Sequence, residues 1–132
     1  IGPSLNPKIP YNAQSDFTPI AHVADSANVL LVAPNVKANT VAELVALLKR
    51  RPGQFNYGSS GNGTIVHLTG ELFKSMTGTF VVHIPYRGTA LVIPDMVSGQ
   101  IHLLFDNIAS AMPHLKDGRV RALAVTSLQR SA

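Results

Sequence analysis

The run Tyr57-Gly58-Ser59-Ser60-Gly61-Asn62-Gly63-Thr64 constrains this chain more than any other stretch, because three glycines and two serines stand between an apolar segment and a helical one. Gln54-Phe55-Asn56-Tyr57 reads as a short strand, and Ile65, Leu68, Leu72 and Met76 recur at spacings of three and four, the period of a helix face. A strand therefore turns into a helix across the glycines. The first N–H groups of a helix lack intrahelical acceptors and lie at the positive end of its dipole, so a glycine-rich turn there lets an anion reach bare backbone donors. The glycines permit close approach, and the serines add hydroxyl donors.

The anion need not be a phosphate. The spacing from Gly58 to Gly63 followed by Thr64 imitates a P-loop, but the lysine that should follow the last glycine is absent. The dinucleotide fingerprint fails too, since Gly61-Asn62-Gly63 is followed by Thr64-Ile65-Val66 with no glycine or alanine two residues on. Ser60 is not a nucleophile elbow, because Asn62 stands where the second glycine of that motif belongs. The bland alternative is a structural turn whose Thr64 merely caps a helix. What the residues favour is a carboxylate or a similar small anion.

A chain of 132 residues has room for one domain with an ordinary core. Its 45% hydrophobic and 14% charged residues fit a globular α/β chain, and no apolar run approaches the roughly 20 residues that cross a bilayer. The basic residues behind the net charge of +4 are dispersed except for Lys49-Arg50-Arg51. That triplet sits at a helix end, where cations complement the dipole, and lacks the interleaved aromatics of a nucleic-acid surface, so no nucleic-acid partner is expected. With no cysteine, disulfides and thiolate metal sites are excluded. The chain opens on Ile1-Gly2-Pro3 with no charged-then-apolar leader, which suggests a processed product or an excised fragment.

In order along the chain, residues 1–16 read as an extended lead-in, and Phe17 to Ala24 and Asn28 to Ala33 as a pair of strands. Thr40-Val41-Ala42-Glu43 is a capping box that opens a helix running to Arg51, stopped by Pro52-Gly53. A second helix runs from Thr64 to Thr77 with Gly78 as its stop. Phe80 to Pro85 is a strand, and Tyr86-Arg87-Gly88-Thr89 a polar turn. Ala90 to Ser98 is a short helix disturbed by Pro94, beginning late or bent. Gln100 to Phe105 is a buried strand, Asp106-Asn107 opens a helix ending near Lys116-Asp117-Gly118, and Val120 to Thr126 is the last strand.

This alternation predicts an α/β fold, a mostly parallel sheet flanked by helices, in which ligands bind at the carboxyl ends of strands. Three such ends coincide with polar turns, Gly58 to Thr64, Tyr86 to Thr89 and Asp106-Asn107, and they can converge on one rim. Arg87 suits a carboxylate bidentately or is simply solvated. Asp106 either accepts a hydrogen bond from a ligand or caps the following helix. His67 and Glu71 stand four apart on one helix, a metal spacing without a second close pair, and His22, His83, His102 and His114 are scattered, so no metal is expected.

Asp16-Phe17-Thr18-Pro19-Ile20, Thr40-Val41-Ala42-Glu43-Leu44, Phe55 through Thr64, His67-Leu68, Gly70-Glu71-Leu72-Phe73, Tyr86-Arg87-Gly88, Phe105-Asp106-Asn107 and Ala122 through Ser127 together resemble the tripartite tricarboxylate transporter receptor family. These TctC or Bug proteins are periplasmic solute-binding proteins of bacteria, made as secreted precursors. The resemblance implies one lobe of a type II periplasmic-binding-protein fold, here the second, spanning 17–127. Residues 1–16 would be the crossover into it and 128–132 the start of the return crossover. It implies no enzyme and no cofactor. The implied partners are a small organic carboxylate, a first lobe absent here, and membrane transporter subunits, with self-association of the isolated lobe as a consequence. The implied ligand-binding residues are Ser59, Ser60, Gly61, Asn62, Gly63, Thr64, Tyr86, Arg87, Gly88, Thr89, Ala90 and Asp106. The chain departs from the family pattern at Leu91, where a proline is usual and here comes later as Pro94, at Arg87 for a frequent lysine, and at His102 for a common aspartate. Two other classes are a protein-interaction domain derived from such a receptor, and a small hydrolase using Ser59 or Ser60 with His67, which lacks an orienting carboxylate.

Overall fold

The computed structural model describes residues 2–129; residues 1 and 130–132, which belong to the expected lead-in and return crossover, lie outside the described residues. A single helical turn, α1 (Gly2–Leu5), is followed by a long exposed segment, and the packed body begins at β1 (Asn28–Val32). From there the elements alternate as α2 (Val41–Arg50), β2 (Asn56–Ser59), α3 (Ile65–Thr77), β3 (Val82–Pro85), α4 (Val92–Val97, entered through a 3₁₀ turn at Thr89–Leu91), β4 (Leu103–Asn107), α5 (Ile108–Lys116) and β5 (Arg121–Val125). The five strands form one sheet in the order β3-β2-β4-β1-β5. β2 is parallel to both β3 and β4, whereas β1 runs antiparallel to β4 and β5. The sheet is thus the mostly parallel one expected.

β1 is buried along its whole length, as its Asn-Val-Leu-Leu-Val sequence demands of a strand with neighbours on both sides. Helices cover both faces. On one, α3 crosses β2 and β4, bringing Phe73 within 5.5 Å of Phe105 and the backbone of Gly70 against the Tyr57 ring. On the other, Val92 of α4 lies directly over Gly58. Leu31, Leu44, Leu48, Met96 and Leu104, all 0% exposed, fill the space between.

The helix ends follow the capping chemistry in the sequence. Thr40 accepts from the Glu43 N–H at 3.1 Å, and Glu43 reaches back to the Asn39 N–H at 2.8 Å, one residue before the cap. Thr64 caps α3, and Gly78 ends it in the left-handed conformation at φ 61°. Replacing Thr40 by alanine is expected to cost about 1 kcal/mol, read as a shift in urea midpoint at unchanged slope.

Phe17 to Ala24, expected to be a strand, is not one: it is exposed and without secondary structure. Both sides of β1 are already taken by β4 and β5, and Phe17, Ile20 and Val23 are 62%, 98% and 94% exposed, so the segment has neither a ladder partner nor a face to bury. The strand expected over 54–57 lies at Asn56–Ser59. Gln54 instead closes a turn on the Arg51 carbonyl, and the parallel ladders to β3 and β4 hold the chain only from Asn56 onward. The strand expected over 100–105 likewise shifts to Leu103–Asn107. Pro94 is harmless, since it falls in the first turn of α4.

Candidate functional site

Because β3, β2 and β4 are adjacent and parallel, the turns that follow them emerge from one edge of the sheet. The first two are tied: the Tyr86 N–H donates to the Ser59 carbonyl at 2.9 Å, carrying the parallel ladder into the loops. The third polar end, Asp106-Asn107, follows β4.

The glycine loop holds itself together. Gly61 and Gly63 adopt φ 125° and 77°, a backbone that side chains with a Cβ avoid, and this lets the chain double back between β2 and α3. The Gly61 N–H donates to Ser59 Oγ at 3.1 Å, the Thr64 hydroxyl donates to the Gly61 carbonyl at 2.8 Å, and the Gly63 N–H donates to His67 Nδ1 at 3.0 Å. The amides of Gly61, Gly63 and Thr64 are therefore engaged within the loop. Those of Ser60, Asn62, Ile65 and Val66 have no acceptor among the described residues, and they sit at and before the N-terminus of α3.

Behind the loop lies a polar cluster that joins three elements. Ser59, 0% exposed, is hydrogen-bonded through Oγ to His83 Nε2 of β3 at 2.6 Å. The His83 and His67 rings stack with centroids 4.0 Å apart, and Tyr57 stacks on His83 at 4.9 Å. The Tyr57 hydroxyl donates to Glu71 Oε1 at 2.6 Å, and Lys74 Nζ donates to the same carboxylate at 2.7 and 3.0 Å. Burial first, then the bond to Glu71 and its charge, push the Tyr57 hydroxyl well above its ordinary pKa. Burial, with the Lys74 charge adding to it, pulls His83 below the usual imidazole value. The Ser59–His83 contact imitates a nucleophile and base, but the hydroxyl is sealed from solvent and already shared with Gly61. Among the described residues no group of three or more His, Cys, Asp or Glu side chains gathers to hold a metal.

The other expected site residues fall as follows. Tyr86 is half-buried, its hydroxyl donating to Asp95 Oδ2 of α4 at 2.5 Å; burial and that bond push its pKa up to about 12. Arg87 is exposed, with no ion-pair partner among the described residues. Gly88, Thr89 and Ala90 lead into the 3₁₀ turn. The capping alternative for Asp106 is corrected: Asn107 caps α5, its Oδ1 accepting from the Ala109 N–H at 2.9 Å. Asp106 is 3% exposed, with Oδ1 accepting from the Asn107 N–H and Oδ2 buried with no partner among the described residues. His83 escaped the sequence reading, which placed it among scattered histidines; only the parallel register, Tyr57 opposite His83, brings it to the loop.

The whole chain, residues 1–132, matches the family model described as the tripartite tricarboxylate transporter family receptor. It is 34% identical to the protein BugT of Bordetella pertussis over 131 residues, 99% of this chain and 40% of that one. Among solved structures it is similar to a periplasmic transporter, at 42% identity and TM-score 0.87, covering 98% of this chain and 43% of the other. It is similar also to an R. palustris protein solved with adipate, at 38% identity and TM-score 0.83, covering 91% and 40%. The chain therefore spans less than half the length of these relatives. The matched family is one of receptors, not of enzymes. The chain belongs to the tripartite tricarboxylate transporter receptor family.

Proposed function

We propose that this chain is the second, ligand-binding lobe of a periplasmic receptor that captures a small organic carboxylate and presents it to membrane transporter subunits. The observation that carries the reading is the set of four unengaged amides, Ser60, Asn62, Ile65 and Val66, at and before the N-terminus of α3, in a loop tied through Tyr86 to the turn that carries Arg87, which has no ion-pair partner among the described residues. Backbone donors at a helix N-terminus and a guanidinium fork are complementary to a carboxylate. The R. palustris relative solved with adipate supports that ligand class. In this reading Ser59, Gly61, Gly63 and Thr64 shape the loop, and Tyr86, Gly88, Thr89 and Ala90 form the neighbouring wall. Asp106 offers Oδ2 to a ligand hydroxyl or amino group. A first lobe closes over this rim by hinge motion, and binding is reversible, without chemistry. Exposed Ile65, Leu72 and Met76 on one stripe of α3 give the isolated lobe a face for self-association.

An amide NMR titration with adipate, citrate, succinate, glutamate and an aromatic acid, with chloride as control, tests the reading. The amides of Ser60, Asn62, Ile65 and Val66 are expected to move saturably with one acid and not with chloride. Arg87→Ala is expected to weaken that acid about tenfold. Amides that stay still for every acid, in this chain and again with a first lobe added, overturn it.

A further inference from the structure

The two long helices begin alike. In α2 the third residue, Glu43, accepts the Asn39 N–H from before the cap; in α3 the third residue, His67, accepts the Gly63 N–H from the same position, at 3.0 Å. Both caps are threonines whose Oγ accepts from the backbone N–H of that third residue, Glu43 or His67. α3 therefore carries a capping box in which histidine occupies the place of the usual glutamate or glutamine. Nδ1 accepts that hydrogen bond through its lone pair, and an imidazole, unlike a glutamate, brings no negative charge with it. Its Nε2 faces Glu71 Oε1 at 3.9 Å, and its ring is pinned against His83.

We propose that His67 is a positioning residue for the anion loop, chosen because it braces Gly63 as a capping glutamate would but places no negative charge at the ligand's end of α3. The proposal rests on the carboxylate-binding reading given above. At the start of α2, where no ligand is expected, a glutamate serves. At the start of α3 a glutamate in the same place would bring a carboxylate to within about a turn of the four unengaged amides, where it would repel an incoming carboxylate and compete for the helix-end field. The negative charge already nearby, Glu71, stands one turn further along, paired with Lys74 and hydrogen-bonded by the Tyr57 hydroxyl. The groups facing His67 are thus Glu71 on α3, itself paired with Lys74, Tyr57 on β2 and His83 on β3.

The test separates bracing from charge with three variants, His67→Gln, His67→Glu and His67→Ala, measured for urea stability, for exchange protection of the Gly63 amide, and for affinity for adipate. Thr40→Ala serves as the control for lowered stability away from the loop. His67→Gln, a neutral acceptor, is expected to keep Gly63 protected and adipate affinity within about threefold. His67→Glu is expected to keep the protection and the stability but to lose affinity at least tenfold, with the loss shrinking as salt is added. His67→Ala is expected to lose both, while Thr40→Ala keeps its affinity. A His67→Glu protein that binds adipate as the wild type does overturns the charge argument, and a His67→Gln protein no better than His67→Ala overturns the bracing. If the wild type binds no acid, alone or with a first lobe added, the receptor reading falls by itself, and Gly63 protection in His67→Gln against His67→Ala still decides whether the histidine braces the loop.

Discussion

Gly70→Ala is expected to destabilise the fold by roughly 3 kcal/mol, the upper end of what overpacking a filled core costs. Gly70 is the point of closest approach between α3 and the sheet, and a Cβ built there would lie 2.7 Å from Cζ and 2.9 Å from Cδ2 of Tyr57, with Cε2 closer still. A flexible chain end would swing aside. Tyr57 is held at 1% exposure by the stack on His83 and by the short bond from its hydroxyl to Glu71. Either the ring leaves that bond or the helix lifts off the sheet, and both uncover core. Gly88→Ala is the internal control: nothing lies within 4 Å of a Cβ added there, and φ of 165° is extended backbone open to any residue, so its change should stay within about 0.5 kcal/mol. Urea unfolding of both decides it, and equal midpoints for the two variants would mean that α3 does not approach β2 as described.

What could be read in the sequence divides along the range of the forces involved. α2 and α3 were legible almost to the residue because both ends of each are written locally, in Thr40 and Glu43, in Thr64, and in Gly78. The strands were legible as apolar runs but shifted by two or more residues where only the neighbour fixes the bounds, as at Asn56–Ser59, which owes its position to β3 and β4. Phe17 to Ala24 shows the same limit from the other side: a β-rich run states that a segment can pair, not that a partner is free. At the rim, three strand ends were legible because a parallel sheet places them together. Asp106 and Asn107 were not separable as caps, since either residue type accepts a helix N–H, and only the backbone decides that Asn107 does so. The cluster behind the loop was hidden for a further reason: His67, Tyr57 and Glu71 share neighbouring elements, but His83 joins them through register alone.

That cluster supports the second large effect. Glu71→Ala should cost about 2 kcal/mol, almost all of it through Tyr57 and not through the ion pair. The Glu71 side chain is 41% exposed, so its contact with Lys74 is screened and contributes little by itself. Tyr57 is sealed, and without Glu71 its hydroxyl keeps only the His67 carbonyl at 3.4 Å. If this apportioning is right, Tyr57→Phe in the Glu71→Ala background should cost less than in the wild type, by about 1 kcal/mol, because the hydroxyl it removes has already lost its partner. Acid gives an independent check. Burial alone would raise the Glu71 carboxyl, but the hydrogen bonds from Lys74 and Tyr57 outweigh it and hold the pKa below the ordinary value of 4.5. A group whose folded value is lowered contributes stability that is present above its unfolded value and lost as pH falls through the folded one. The gap between wild type and Glu71→Ala should therefore hold steady at neutral pH and begin to close only below about 4.5, the ordinary value of the carboxyl. Burial lowers His83 and His102 as well, so both proteins should lose stability as pH drops below about 6.5, the ordinary imidazole value, and the variant somewhat more, because the Glu71 charge raises His83 and its removal widens the gap there. A gap that closes in the histidine range instead would place the stabilising bond on an imidazole and not on Glu71.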